Sequence, residues 1–262
     1  MRPWCGRVAD GINRSMSDRK TRPDDVNQRL VDQYTEIARL VGGLAHEIKN
    51  PLSTIRLNME LLAEDFQTDD SPRTRRALAK ILIVQQECQR LQDLLDDFLN
   101  FAKVRELKLE PTDLNDVVRQ VLEFYQPKAA ESHIELLPHL LSDLPSVLLD
   151  RESFRGALFN LILNAQQAMP DGGQLMVATG MTPRGVALYL VDTGCGMDEA
   201  TIARIFEAFY STKPGGSGLG LPTARKIIEA HGGRIFVQSK LGTGTQFVIE
   251  LPVPARLEAD EK

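Results

Sequence analysis

The pentad His46-Glu47-Ile48-Lys49-Asn50, with Gly42 and Gly43 before it and Pro51 and Leu52 after it, carries the residue best suited to group transfer. A neutral imidazole is a competent nitrogen nucleophile near pH 7. The apolar residues Ile37, Val41, Leu44, Ile48, Pro51, Ile55, Met59, Leu62 and Phe66 recur at spacings of three and four, which predicts one continuous buried stripe along a helix. His46 lies off that stripe. Its helical neighbours are Gly42, Gly43, Lys49 and Asn50, small or polar groups that leave room for another molecule to approach. Alone, such a histidine is most often an inert surface residue, so the case for chemistry depends on a donor elsewhere in the chain.

Three downstream segments read together as a nucleotide site. In the first, Asn160 and Asn164 are four residues apart on a helix and share a face. Asn164 offers a neutral oxygen of the kind Mg²⁺ accepts beside phosphate oxygens and water. In the second, Asp192 ends an apolar strand, where a buried carboxylate needs a donor partner. Gly194 and Gly196 follow it, and without a Cβ the backbone can approach a ring closely. In the third, the run from Thr212 to Gly220 is too rich in glycine, at Gly215, Gly216, Gly218 and Gly220, to hold one conformation empty. It leads into a helix beginning near Leu219, whose amides can hold phosphate oxygens while Lys213 adds charge, so it reads as a lid. Thr245 is expected at the nucleotide edge. A pair of helix-surface amides, a plain turn and a loose surface loop are the bland alternatives for the three segments. A nucleophile and a nucleotide site in one chain point instead to autophosphorylation.

The string LAHEIKNPLSTI resembles the phospho-acceptor segment of two-component sensor histidine kinases. NLILNAQQA, VDTGCGM, FEAFYSTK and GSGLGLPTARKIIEAHGG resemble that family's asparagine, aspartate-glycine, phenylalanine and lid-glycine boxes. The likeness covers roughly residues 30 to 252, and HEIKNPL with the compact lid is similar to the nitrogen-regulation-like subgroup. It implies an ATP-dependent kinase that phosphorylates His46, with Asn164 as the Mg²⁺ ligand and Asn160 supporting phosphates or the metal's waters. Asp192 would bind the exocyclic amine of adenine, and Phe206 and Phe209 would dock on the acceptor bundle or pin the lid. Glu47 would take the Nδ1 proton, leaving Nε2 to the γ-phosphate. Asn50, one turn on, would orient a water for dephosphorylating a partner, which makes the kinase a phosphatase as well. Because this chain has no receiver-like segment, the next acceptor is expected to be an aspartate of a separate response regulator. Only about 30 residues precede the hairpin, so a separate sensor protein is a further expected partner, unless the chain is a truncated core.

The elements that must position these groups form two units. The first helix is expected over about 27–66, some 60 Å long at about 1.5 Å per residue. Turn formers from Gln67 to Pro72 break it. In the second helix Ala77, Ile81, Val84, Cys88, Leu91, Leu95, Phe98 and Ala102 form a heptad seam. One hairpin cannot cover both seams, so a symmetric homodimer forming a four-helix bundle is expected, with an inert coiled-coil spacer as the alternative. Beyond Pro111, helices are expected at 113–131, 152–169 and about 220–231. Strands are expected at Ile134–Leu137, Val147–Leu149, Leu175–Thr179, Val186–Val191, Arg234–Ser239 and Thr245–Leu251. The fold class is α+β: an all-α hairpin, then an α/β sandwich with a mixed sheet covered on one face by helices. The division expected is a disordered segment 1–26, a hairpin 27–107, an ATP-binding domain 108–254 and a tail 255–262.

Bulk properties agree with this outline. The 262 residues have room for about two small domains. No apolar run approaches the roughly 18 residues of a membrane span, and the N-terminus lacks a secretory core; a cytoplasmic protein is expected. Cys5, Cys88 and Cys195 form no short-spaced pair. A net charge of −5 disfavours indiscriminate nucleic-acid binding, so polyphosphate recognition must be local. Two other classes compete: a silent ATP-binding scaffold that sequesters a regulator, and a conformational ATPase of the chaperone or mismatch-repair type.

Overall fold

The computed structural model describes residues 48–64, 66, 71–102, 107–213 and 216–254. His46 and Glu47, the expected disordered segment and the tail lie outside the described residues. Helix α1 covers 48–64 and α2 covers Pro72–Ala102. Pro72, expected in the turn, is the first residue of α2. Proline suits a first helical position because its missing N–H has no partner to lose. Ser71 completes the start, its hydroxyl accepting from the Thr74 amide at 3.2 Å.

Two polar links join α1 to α2: an ion pair between Lys49 and Asp96, and a 3.1 Å bond from Gln92 Nε2 to Ser53 Oγ. Leu52, Ile81 and Cys88 are buried. Of the residues expected on the two stripes, Ile48, Ile55, Leu62, Val84 and Leu91 are each 39–50% accessible in a single chain. A two-helix hairpin has one contact face, and residues pointing away from it find no cover. Among the described residues no helix is long and apolar enough to cross a membrane.

The second unit is built on a five-stranded mixed sheet in the order β2-β4-β5-β7-β6. Its strands are β2 (Ile134–His139), β4 (Gly173–Thr182), β5 (Gly185–Asp192), β6 (Arg234–Lys240) and β7 (Gly244–Pro252). The β2–β4 pair is parallel and the others are antiparallel. Residues alternate between faces, and Val177, Leu188, Phe247 and Ile249 turn toward helices α3 (Leu114–Glu131), α4 (Arg151–Ala168) and α6 (Gly220–Ala230) to make one core. Burying such a side chain contributes about 1.5–3 kcal/mol. A short antiparallel pair, β1 (Glu110–Thr112) with β3 (Val147–Leu149), and the single turn α5 (Glu199–Ile202) complete the unit.

Two buried polar groups fix how these layers meet. His231, after the last residue of α6, accepts from the Asp150 amide through Nε2 at 3.0 Å and sets Nδ1 2.7 Å from the Ile227 carbonyl. Since the amide must donate, Nδ1 carries the proton, and the neutral ring bridges the end of α6 to the start of α4. Asn115 and Thr179 bond each other at 2.8 Å and hold both backbone groups of Leu141, which anchors the loop between β2 and β3.

Candidate nucleotide site

Helix α4 begins on Asp150, whose carboxylate caps the Ser153 amide at 2.9 Å. Its residues Phe154, Ala157, Leu158, Leu161, Ile162 and Ala165 are buried, spaced in threes and fours. The opposite face therefore presents Asn160, Asn164 and Gln167, separated by four and three residues. All three line a cleft of about 230 Å³ bordered by residues 211–213 and 216–218 and by the start of α6.

Asp192 ends β5 and is 3% accessible. Its Oδ1 accepts two backbone amides, Gly194 at 2.9 Å and Thr245 at 3.2 Å. Burial pushes this carboxyl above the usual carboxylate range, while those two bonds and the Lys213 charge oppose the shift. The glycines beside it are explained by protein contacts rather than by a ligand. A Cβ on Gly194 would sit 2.7 Å from the Ala168 carbonyl oxygen, and one on Gly196, at φ +66°, 2.0 Å from that of Lys240.

Lys213 crosses the cleft. Its Nζ donates to Asn164 Oδ1 at 2.8 Å, Gln167 Oε1 at 3.0 Å and the Asn164 carbonyl at 3.3 Å. Burial pushes its ammonium below the usual lysine range. Helix α6 starts at Gly220 with no side-chain cap, and Gly220, Leu221 and Pro222 of its first turn line the cleft. The lid is tied back through Phe209, whose amide donates to the Gly218 carbonyl at 3.1 Å.

Of the residues expected from sequence, Asn160, Asn164, Gly196, Lys213, Gly216, Gly218, Gly220 and Thr245 line the cleft. Asp192 and Gly194 sit behind it and reach it through Thr245 and Gly196. Leu219 is buried at 1%, so only its backbone can serve a ligand. Phe206 packs on the core beneath Arg225, while Phe209 is 53% exposed. Asn50 is exposed on α1, its carbonyl accepting from Thr54 Oγ1 at 3.0 Å. Gln167, Met197, Ile205, Tyr210 and, from the hairpin, Asp97 also line the cleft, and none of them was given a role of its own from sequence. Gln167 alone carried a usable signal, since it continues the Asn160–Asn164 face by one turn.

Residues 149–255 match the family described as histidine kinase-, DNA gyrase B-, and HSP90-like ATPase, and residues 36–107 match the His Kinase A (phospho-acceptor) domain. The chain belongs to the sensor histidine kinases. Sporulation kinase E of Bacillus subtilis (strain 168) is 30% identical to this histidine kinase chain over 258 residues, 97% of this chain and 34% of the relative. The chain thus spans about a third of that curated relative's length. The crystal structure of full-length ShkA in complex with AMPPNP superposes with a TM-score of 0.65 at 32% identity, over 82% of this chain and 45% of that one. Histidine kinase ThkA in complex with the response regulator protein TrrA gives 0.61 at 26% identity, over 90% and 67%. The hairpin and the mixed-sheet domain expected from sequence are those of this histidine kinase family.

Proposed function

We propose that this chain is an ATP-dependent protein-histidine kinase that phosphorylates His46 and passes the phosphoryl group to an aspartate of a response regulator. The observation that carries the reading is the cleft where Asn160, Asn164 and Lys213 meet in front of the buried Asp192, in a chain that also holds the phospho-acceptor segment. Both amides fall on Asp192 Oδ1, so Oδ2 is the atom left for the exocyclic amine of adenine. The uncapped start of α6 suits phosphate oxygens. Asn164 Oδ1 already takes one cation, the Lys213 ammonium, so its donor set fits Mg²⁺, which would neutralise phosphate charge. In the transfer, the Nε2 lone pair of His46 forms a bond to the γ-phosphorus as the bridging P–O bond to ADP breaks. Glu47 takes the Nδ1 proton.

The same reading assigns 27–107 to dimerisation and phospho-acceptance and 108–254 to ATP binding. The exposed apolar faces of α1 and α2, including Leu57, Leu61 and Ile83 at 52–58% accessible, support a second copy completing a four-helix bundle. A response regulator as acceptor is supported by the ThkA–TrrA neighbour. Asn50 makes regulator dephosphorylation part of the proposal.

Incubation with γ-labelled ATP and Mg²⁺ tests it, using wild type, His46→Gln and Asp192→Ala. Acid-labile, alkali-stable label on wild type, absent from both variants, is the expected result. ATP binding without label would move the assignment to a silent scaffold.

A further inference from the structure

The contacts of Lys213 describe more than a lid residue near a pocket. Its ammonium is ringed by three neutral oxygens, Asn164 Oδ1 at 2.8 Å, Gln167 Oε1 at 3.0 Å and the Asn164 carbonyl at 3.3 Å. Neutral amide and carbonyl oxygens converging from one side are a donor set that hard cations accept. Lys213 is drawn into it from the lid, 46 residues along the chain from Gln167, and half-buries its charge there. Such a placement costs desolvation, which the three oxygens offset. Asn164 Oδ1 is also the atom that the proposed kinase chemistry gives to Mg²⁺, and an ammonium and a magnesium ion brought to one neutral amide oxygen repel each other.

We propose that Asn164 and Gln167 form an exchange seat, in which Lys213 holds Asn164 Oδ1 and yields it when the magnesium nucleotide enters. The inference rests on the reading of this cleft as an ATP–magnesium site. It assigns Gln167 a specific part: its amide holds the ammonium without being needed by the metal. Lys213 then has two positions, on α4 before nucleotide arrives and free toward the phosphates afterwards. Magnesium demand is then set partly by the chain's own lysine.

Calorimetric binding of AMPPNP to the full chain, at saturating nucleotide and a series of Mg²⁺ concentrations, tests this in wild type, Lys213→Met and Gln167→Leu. An arm that fills the seat about four-fifths of the time raises the apparent metal requirement about fivefold. Lys213→Met is therefore expected to lower the half-saturating Mg²⁺ about fivefold, and Gln167→Leu about twofold, as the seat holds lysine less well. If Lys213 serves only the phosphates, Lys213→Met raises the Mg²⁺ requirement, and that result overturns the exchange. Binding with an unchanged Mg²⁺ dependence in both variants also overturns it and leaves the ATP reading standing. Wild type that binds no AMPPNP at any Mg²⁺ concentration brings down both.

Discussion

At the scale of single residues, Asp192 sets function against stability. A carboxyl held above its ordinary range binds its proton more tightly folded than unfolded, so stability falls as pH rises through the interval between the two values. Asp192→Asn keeps an oxygen for the Gly194 and Thr245 amides and removes the buried charge. It is expected to melt at or above the wild-type temperature near neutral pH and to lose that pH dependence. It also presents an amide donor where adenine needs an acceptor. Hydrogen bonds to charged groups contribute about 1.5–3 kcal/mol, so nucleotide affinity should fall roughly tenfold to a hundredfold by calorimetry. Asn50 separates the two proposed activities. Because it is exposed on α1 and outside the cleft, Asn50→Ala should autophosphorylate like wild type. Its dephosphorylation of a phosphorylated receiver domain should fall about a hundredfold, the lower end of what positioned proton transfer contributes.

Among the elements, α4 and α6 decide the site, with Asp150 pinning the start of α4 and Lys226 fastening α6 to the hairpin. Asp150 accepts from Ser153 and from the Lys108 amide at 3.0 Å, and its carboxyl is held below its ordinary range chiefly by the Ser153 bond. A lowered carboxyl adds stability that is complete above its unfolded value and lost as pH falls through its folded one. Asp150→Ala should cost about 1 kcal/mol at neutral pH and less in acid, measured by urea unfolding at two pH values. At the other contact, Lys226 of α6 donates to the Phe101 carbonyl at 2.9 Å and lies over that ring at 5.5 Å, which ties the catalytic unit to the last turn of α2. Lys226→Met should speed amide hydrogen exchange over residues 98–101 while leaving the β4 and β5 amides protected; equal exchange in both proteins would remove the tie.

These same elements show what sequence could convey. The period of α4 displayed both its buried stripe and the asparagine face, and the apolar run of β5 and the alternation in β7 placed two interior strands, because burial writes a pattern into the residues. Contacts between distant segments leave no repeat. Nothing local marks Thr245 as a donor to Asp192, Asn115 as the partner of Thr179, or Lys213 as the occupant of Asn164. Nor does anything local show that Gly194 and Gly196 lie against the backbones of Ala168 and Lys240. The strand β1 carries Pro111 and has only three residues, too few to display a period.

At the scale of the whole molecule, the hairpin leaves its own surface unfinished. Leu57, Leu61, Leu82 and Ile83 are each more than half exposed in one chain, more apolar surface than a lone helical pair keeps in water. Leu61→Glu combined with Ile83→Glu should shift the protein from dimer to monomer in light scattering while its nucleotide affinity is retained; a wild-type monomer at micromolar concentration would refute the bundle. The hairpin also reaches into the catalytic unit. Asp97 of α2 lines the cleft, and with Arg90 and Asp93 it borders a second hollow at Ser217 of the lid. A cleft with one wall on another unit is thermodynamically linked to that unit's position, and such linkage is reciprocal. Whatever factor a twist of α2 takes from ATP affinity, bound ATP must exert against the twist. Under the proposed function, a stimulus that turns α2 would therefore be read at the cleft as a change in nucleotide occupancy, with no messenger passing between them.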